Sequence, residues 1–150
     1  MRLTLWTDYA LRTLIYLATK DRDLATIGEI AFSFDISKAH LMKVINRLSQ
    51  QGYVEAVRGK GGGVRLARPA ATISLGEVVR DNEETLAVMG CLEQAGFCRI
   101  ERCCVLKGAL QEATRAFMRV LDGFTLADLV APKAKLERAL ALEPVTHSGV

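Results

Sequence analysis

Four cysteines, Cys91, Cys98, Cys103 and Cys104, are the only thiols in this 150-residue chain, and all lie in the stretch GCLEQAGFCRIERCCVLKGAL from Gly90 to Leu110. In a reducing compartment, clustered thiols are more often metal ligands or reactive groups than structural disulfides. Six residues separate Cys91 from Cys98, five separate Cys98 from Cys104, and Cys103 adjoins Cys104. Zinc sites bring their ligands in short CxxC pairs, and this spacing contains none, so zinc is the weaker reading. Wide, uneven spacing in a loop with Gly90, Gly96 and Phe97 suits an iron-sulfur cluster, which is larger than a single ion and takes about four ligands, usually thiolates. Neighbouring cysteines do not easily face one cluster together, so one of Cys103 and Cys104 is spare. Three thiolates and an open fourth position remain. The only histidines are His40 and His147, and neither is well placed to fill it; an exposed carboxylate is the alternative. Two other chemistries stay open on the residues alone. They are a thiol redox sensor working through Cys103 and Cys104 without iron, and a structural zinc site.

The elements around this loop read as a DNA-binding unit. Apolar Ala10, Leu11, Leu14, Ile15, Leu17 and Ala18 recur at helical spacing from Thr7 to Lys20, with Thr7 as N-cap and Asp8 in the first turn. Thr26 and Glu29 form a capping box that opens a short helix through about Ser33. Phe34-Asp35-Ile36 breaks it, and Ser37 caps a third helix to about Gln51, with Leu41, Val44, Ile45 and Leu48 facing inward. A short helix, a tight turn and a longer capped helix make a helix-turn-helix. Tyr53 to Val57 and Val64 to Ala67 read as strands joined by a glycine turn, which adds a hairpin wing. Ser74 and Glu77 read as a second capping box, for a helix toward Arg80, and the polar segment Asp81-Asn82-Glu83-Glu84 leaves it.

Lys38, His40, Lys43, Asn46 and Arg47 lie off the apolar face of the third helix, where basic and amide groups suit phosphate contacts and base-edge readout. Arg58, Gly59 and Lys60 at the wing tip offer a second contact, in a narrow minor groove. Beyond the cysteines, Leu106, Leu110, Ala113, Phe117, Val120 and Phe124 alternate at spacings of four and three, an a/d seam suited to pairing with a second copy. The resulting fold is mainly α. A winged helix-turn-helix with a small β-hairpin wing spans residues 1–80, and a cysteine-rich cluster loop spans 81–104. A long dimerisation helix covers 105–124, and a partly flexible C-terminal segment covers 125–150.

Charge agrees with this division. Residues 1–80 hold twelve Lys or Arg against seven Asp or Glu, and residues 81–150 hold eight against ten. Seven basic residues face the single acid Glu55 between Ile36 and Arg68, the footprint of a polyanionic partner. Uncharged runs reach about eight residues, against the roughly 20 that a membrane span needs. The first apolar segment carries Arg2, Asp8 and Arg12 and has no signal-peptide pattern, so a cytoplasmic location is expected. No nucleophile-base pair or catalytic metal motif is present. The glycine turn GKGGG lacks the strand-to-helix context of a phosphate loop, and an enzyme is not expected.

Three stretches, MRLTLWTDYALRTLIYLA, ISKAHLMKVINRLSQQGYVEAVRGKGGGVRLARPAATISLGEVVR and CCVLKGALQEATRAFMRVLDGFTLADL, together resemble the NsrR family, nitric-oxide-sensing repressors among the Rrf-type winged-helix regulators. The resemblance covers about residues 1–130. It implies a homodimeric repressor of double-stranded operator DNA with one iron-sulfur cluster per subunit, 4Fe-4S or 2Fe-2S, which nitric oxide attacks so that DNA is released. It implies Cys91, Cys98 and Cys104 as ligands, with Asp8 of the partner subunit as the fourth. A related cluster-binding branch carries a histidine three residues after the last ligand cysteine; Lys107 stands there in this chain, which argues against that branch. Cys103 departs from the pattern, since relatives mostly have a small residue there. Arg12 lies four residues beyond Asp8 on the same helical face, so a released Asp8 can pair with Arg12 and act as a switch.

Overall fold

Residues 2–141 are described by a computed structural model, and residues 142–150, including His147, lie outside the described residues. The first helix, α1, runs Leu5–Lys20 and starts one turn earlier than the Thr7 cap would place it. Thr4 is the N-cap and accepts from the Thr7 backbone N–H, while Thr7 is fully buried within the first turn. Leu5 and Trp6 extend the helical run ahead of Thr7. Asp8 keeps its place in the first turn.

Helix α2, Ile27–Phe34, opens on the expected Thr26–Glu29 capping box and ends at Asp35, which takes the left-handed conformation at φ 52°. Helix α3, Lys38–Gln50, is capped by Ser37 and buries Leu41, Val44, Ile45 and Leu48. These residues join Leu14, Leu17, Ile30, Tyr53 and Ile73 in one core, with α1 packed against α3 and against two later helices, Leu75–Asn82 (α4) and Leu126–Leu129 (α7). Strands β1, Val54–Val57, and β2, Gly63–Leu66, pair antiparallel with Glu55 opposite Arg65. Ala25 bridges to Val64 and so adds a third short edge to the wing sheet.

After a 3₁₀ turn at Ala70–Thr72, α4 spans Leu75–Asn82. The Ser74–Glu77 capping box does not form: the Ser74 side chain makes no cap hydrogen bond. Arg68 takes the Glu77 carboxylate at 2.8 Å instead. The backbone of this stretch is held from outside, through Leu75 N–H on the Phe124 carbonyl and Leu126 N–H on the Ile73 carbonyl. A single helical turn, α5 (Gly90–Glu93), and a 3₁₀ turn at Glu101–Cys103 punctuate the cysteine loop. Helix α6, Val105–Asp122, packs on α4, and α7 (Leu126–Leu129) and α8 (Lys133–Ala139) close the described chain.

The architecture is mainly helical with a winged helix at its N-terminal end. Among the described residues, no helix is long and apolar enough to cross a membrane. The apolar stripe of α6 divides in two. Leu110 and Phe117 are half-buried against the chain itself, whereas Leu106, Ala113, Val120 and the following Phe124 are exposed.

Candidate functional site

The outer face of α3 carries Lys38, His40, Lys43 and Asn46, all exposed. Arg47, assigned to the same face by its spacing, turns toward α4 and donates from Nη2 to the Asp81 carbonyl at 2.8 Å. At the wing tip Arg58, Gly59 and Lys60 are exposed. The tip depends on its glycines: Gly59 and Gly61 sit at φ 103° and 77°, and a Cβ on Gly62 would lie 2.2 Å from the Val57 carbonyl oxygen. This close backbone path presents the two flanking cations. Beside α3, residues Leu5, Trp6 and Tyr9 of α1 with His40, Lys43 and Val44 line a groove of about 210 Å³. The sequence signal of its aromatic wall is Leu5 and Trp6, apolar residues just ahead of the first apolar run, which the helical pattern from Thr7 does not include.

All four thiols are free. Cys91 is half-buried, while Cys98 and Cys103 are exposed. The two adjacent cysteines do different things. The Cys104 sulfur accepts from Lys107 N–H at 3.4 Å and caps α6, whereas the Cys103 thiol donates to the Ile100 carbonyl at 3.4 Å. Glu101 fastens the loop by accepting from Gly96 N–H at 2.5 Å and from the Lys107 ammonium. The bond from Lys107, and then that from Gly96, hold the Glu101 carboxyl below its ordinary pKa. Lys107 is thus committed to an ion pair. The donor types on this loop are those of an iron-sulfur site: several free thiols, one of them receiving a helix N–H. Among the described residues, no three Cys, His, Asp or Glu side chains converge into a metal-binding group, so Cys91, Cys98 and Cys104 are not brought together within one chain.

Asp8 accepts from Arg12 Nε at 2.9 Å, and the Arg12 guanidinium also lies over the Phe34 ring, 5.9 Å from its centroid. The segment Asp81-Asn82-Glu83, read from sequence as a polar exit, is instead a junction. Asp81 offers its carbonyl to Arg47 and to Gln51 Nε2, each at 2.8 Å, and its carboxylate to the Tyr53 hydroxyl at 2.6 Å. Asn82 is buried and bonds back to the Val78 carbonyl at 2.8 Å. Glu83 accepts from Thr4 N–H at 2.7 Å, from the Thr4 hydroxyl at 3.0 Å and from the Thr7 hydroxyl. Burial works against the ionised form of Glu83, but these bonds outweigh it and lower its pKa. Burial, followed by the bond to Asp81, raises the pKa of the Tyr53 phenol and keeps it a donor.

The chain thus joins a winged helix with a basic outer face on α3 to a cysteine loop through a polar junction. The sequence model of the Rrf2 family, described as an iron-dependent transcriptional regulator, matches residues 3–132. The chain belongs to the Rrf2 family. Rrf2 proteins are transcription regulators and not enzymes; they bind DNA and are typically dimeric. Solved Rrf2 structures superpose on most of the chain. CymR, the global cysteine regulator of B. subtilis, is 23% identical with a TM-score of 0.73, over 88% of this chain and 98% of that one. IscR of T. potens is 24% identical with a TM-score of 0.73, over 91% of each chain. The oxidized form of Staphylococcus aureus CymR is 28% identical with a TM-score of 0.70, over 87% and 97%. In Rrf2 terms α2 and α3 are the helix-turn-helix, β1 and β2 the wing, and the loop before α6 is where this chain concentrates its thiols.

Proposed function

We propose that this Rrf2 protein is a cytoplasmic, homodimeric repressor of the nitric-oxide-sensing NsrR branch, in which residues 1–80 read operator DNA, 81–104 sense and 105–124 pair the subunits. The observation that carries the reading is the set of free thiols Cys91, Cys98 and Cys104 on one loop between α4 and α6, in a chain of an iron-dependent family. Cys91, Cys98 and Cys104 would hold an iron-sulfur cluster, 4Fe-4S or 2Fe-2S, with Asp8 of the partner subunit as the fourth ligand. When bound there, such a cluster would supply iron, which nitric oxide binds strongly.

An oxygen donor is harder than a thiolate and holds a soft site less firmly, so Asp8 suits the position that is given up. Once free, Asp8 has a partner in Arg12, four residues along the same face, and this pairing would shift α1 against the partner's loop. The recognition helices of the dimer must span half-sites roughly 34 Å apart or a multiple of it. A coupling of about 2 to 3 kcal/mol would then change operator affinity roughly 30- to 150-fold. Lys38, His40, Lys43 and Asn46, with Arg58 and Lys60 of the wing, would make the DNA contacts. Iron and sulfide content of protein purified without oxygen tests the cofactor, and Arg12→Ala tests the switch. Arg12→Ala protein that releases operator DNA as fully as wild type would sink the switch.

A second reading is favoured by the exposure of Cys98 and Cys103 and by the relative known in an oxidized form. In it, the loop is a thiol sensor that controls DNA binding without iron. Metal-free protein whose operator binding is lost on peroxide treatment and restored by thiol reductant would select this reading.

A further inference from the structure

The C-terminal end of α4 is capped from another helix. The last carbonyls of a helix have no partner within it, and α4 ends at Asn82. The Asp81 carbonyl accepts two bonds, from Arg47 Nη2 and from Gln51 Nε2, both at 2.8 Å. Both donors lie at the C-terminal end of the recognition helix α3, and the Arg47 cation there also complements the negative end of the α4 dipole. Two residues after Gln51, the Tyr53 hydroxyl holds the carboxylate of the same Asp81. Gln51 enters this contact through its Nε2. Two residues beyond Asp81, the Glu83 side chain ties the segment to Thr4, the N-cap of α1, and to Thr7 in its first turn. The chain then continues directly into the cysteine loop.

We infer that Arg47 and Gln51 are positioning residues that couple the reading helix, through the Asp81 carbonyl, to the end of α4 from which the cysteine loop leaves. Arg47 is therefore not primarily a groove contact. A displacement of the loop frays the last turn of α4, removes the acceptor of both side chains and frees the C-terminal end of α3. Linkage makes the effect reciprocal: ordering of α3 on DNA must in turn steady the end of α4. This inference rests on the DNA binding of the family and not on the chemistry of the cysteines. A colourless protein indifferent to nitric oxide would end the proposed function and leave this test intact.

The test is hydrogen exchange on the full chain, with and without a saturating DNA duplex selected for binding from random sequence. In the wild type the duplex is expected to slow exchange of amides in residues 79–83 by about fivefold or more, since local opening sets these rates. In Arg47→Met/Gln51→Met the slowing is expected to fall below about twofold, while the amides of α3 remain protected by DNA. Gln51→Glu keeps the size of the side chain but cannot donate, and is expected to lose about half of the effect. It carries the test should the double variant fold poorly. Equal slowing in wild type and variants, or none in wild type, would overturn the coupling. A uniform loss of DNA affinity in Arg47→Met with the slowing retained would return Arg47 to the phosphate contacts.

Discussion

Cys103 and Cys104 share a peptide bond but have different work. Only Cys104 caps α6, and its sulfur already receives the kind of N–H bond that a ligand thiolate accepts. Cys104→Ser is expected to keep the cap, since a hydroxyl is the better acceptor, and to leave stability within about 1 kcal/mol of wild type. It should nevertheless abolish the visible absorption of the anaerobic protein, as should Cys91→Ala and Cys98→Ala. Cys103→Ser should change neither the melting temperature nor the spectrum; loss of the spectrum in that variant would exchange the two assignments. Glu83 gives a prediction in pH. Its folded pKa lies below the ordinary 4.5, so its anchoring of α1 is complete above that value and is lost as pH falls through the folded pKa. Glu83→Gln should flatten the acid limb of a stability-against-pH curve, measured by denaturant unfolding between about pH 3 and 7, while an unchanged limb would remove Glu83 from the account.

Among the elements, those whose signals are local could be read directly. The Thr26–Glu29 box, the Ser37 cap and the buried face of α3 formed as their spacing predicted, because each needs only residues within one or two turns. The Ser74–Glu77 box failed because Arg68, nine residues before Glu77, competes for its carboxylate. Asp81 and Glu83 were opaque for the same reason on a larger scale: their partners lie 28 to 79 residues away. Gly76 of α4 is another such case. A Cβ there would lie 1.8 Å from Asp122 Oδ1, whose carboxylate meets the Arg80 guanidinium through two bonds of 2.7 and 2.6 Å. Gly76 thus lets α4 and α6 lock at close range. Gly76→Ala alone should gain nothing despite the helix preference for alanine. In an Asp122→Ala background it should stabilise by roughly 0.5 to 1 kcal/mol, measured by thermal unfolding; equal effects in both backgrounds would contradict the close approach.

At the scale of the molecule, α6 presents Val105 at 86%, Leu106 at 56% and Val120 at 61% exposure, a face that one chain leaves in water. A typically dimeric family and the a/d spacing of the stripe both support our proposal that this face meets a second copy. Leu106→Glu and Val120→Glu are expected to shift the protein from dimer to monomer in sedimentation velocity and to weaken operator binding at least tenfold, about 1.4 kcal/mol. A stable dimer in both variants would move the interface elsewhere. The apolar stripe of α6 could be read from sequence because its heptad spacing is local. Which of its residues the chain would cover itself could not, since that depends on how α4 meets α6. The most direct test of the whole account is a titration of anaerobically purified protein with nitric oxide, with visible absorption and operator binding followed together. The account predicts a coloured protein whose absorption bands collapse in step with DNA release. A protein that stays colourless after reconstitution with iron and sulfide, yet binds its operator in a nitric-oxide-independent way, would contradict it.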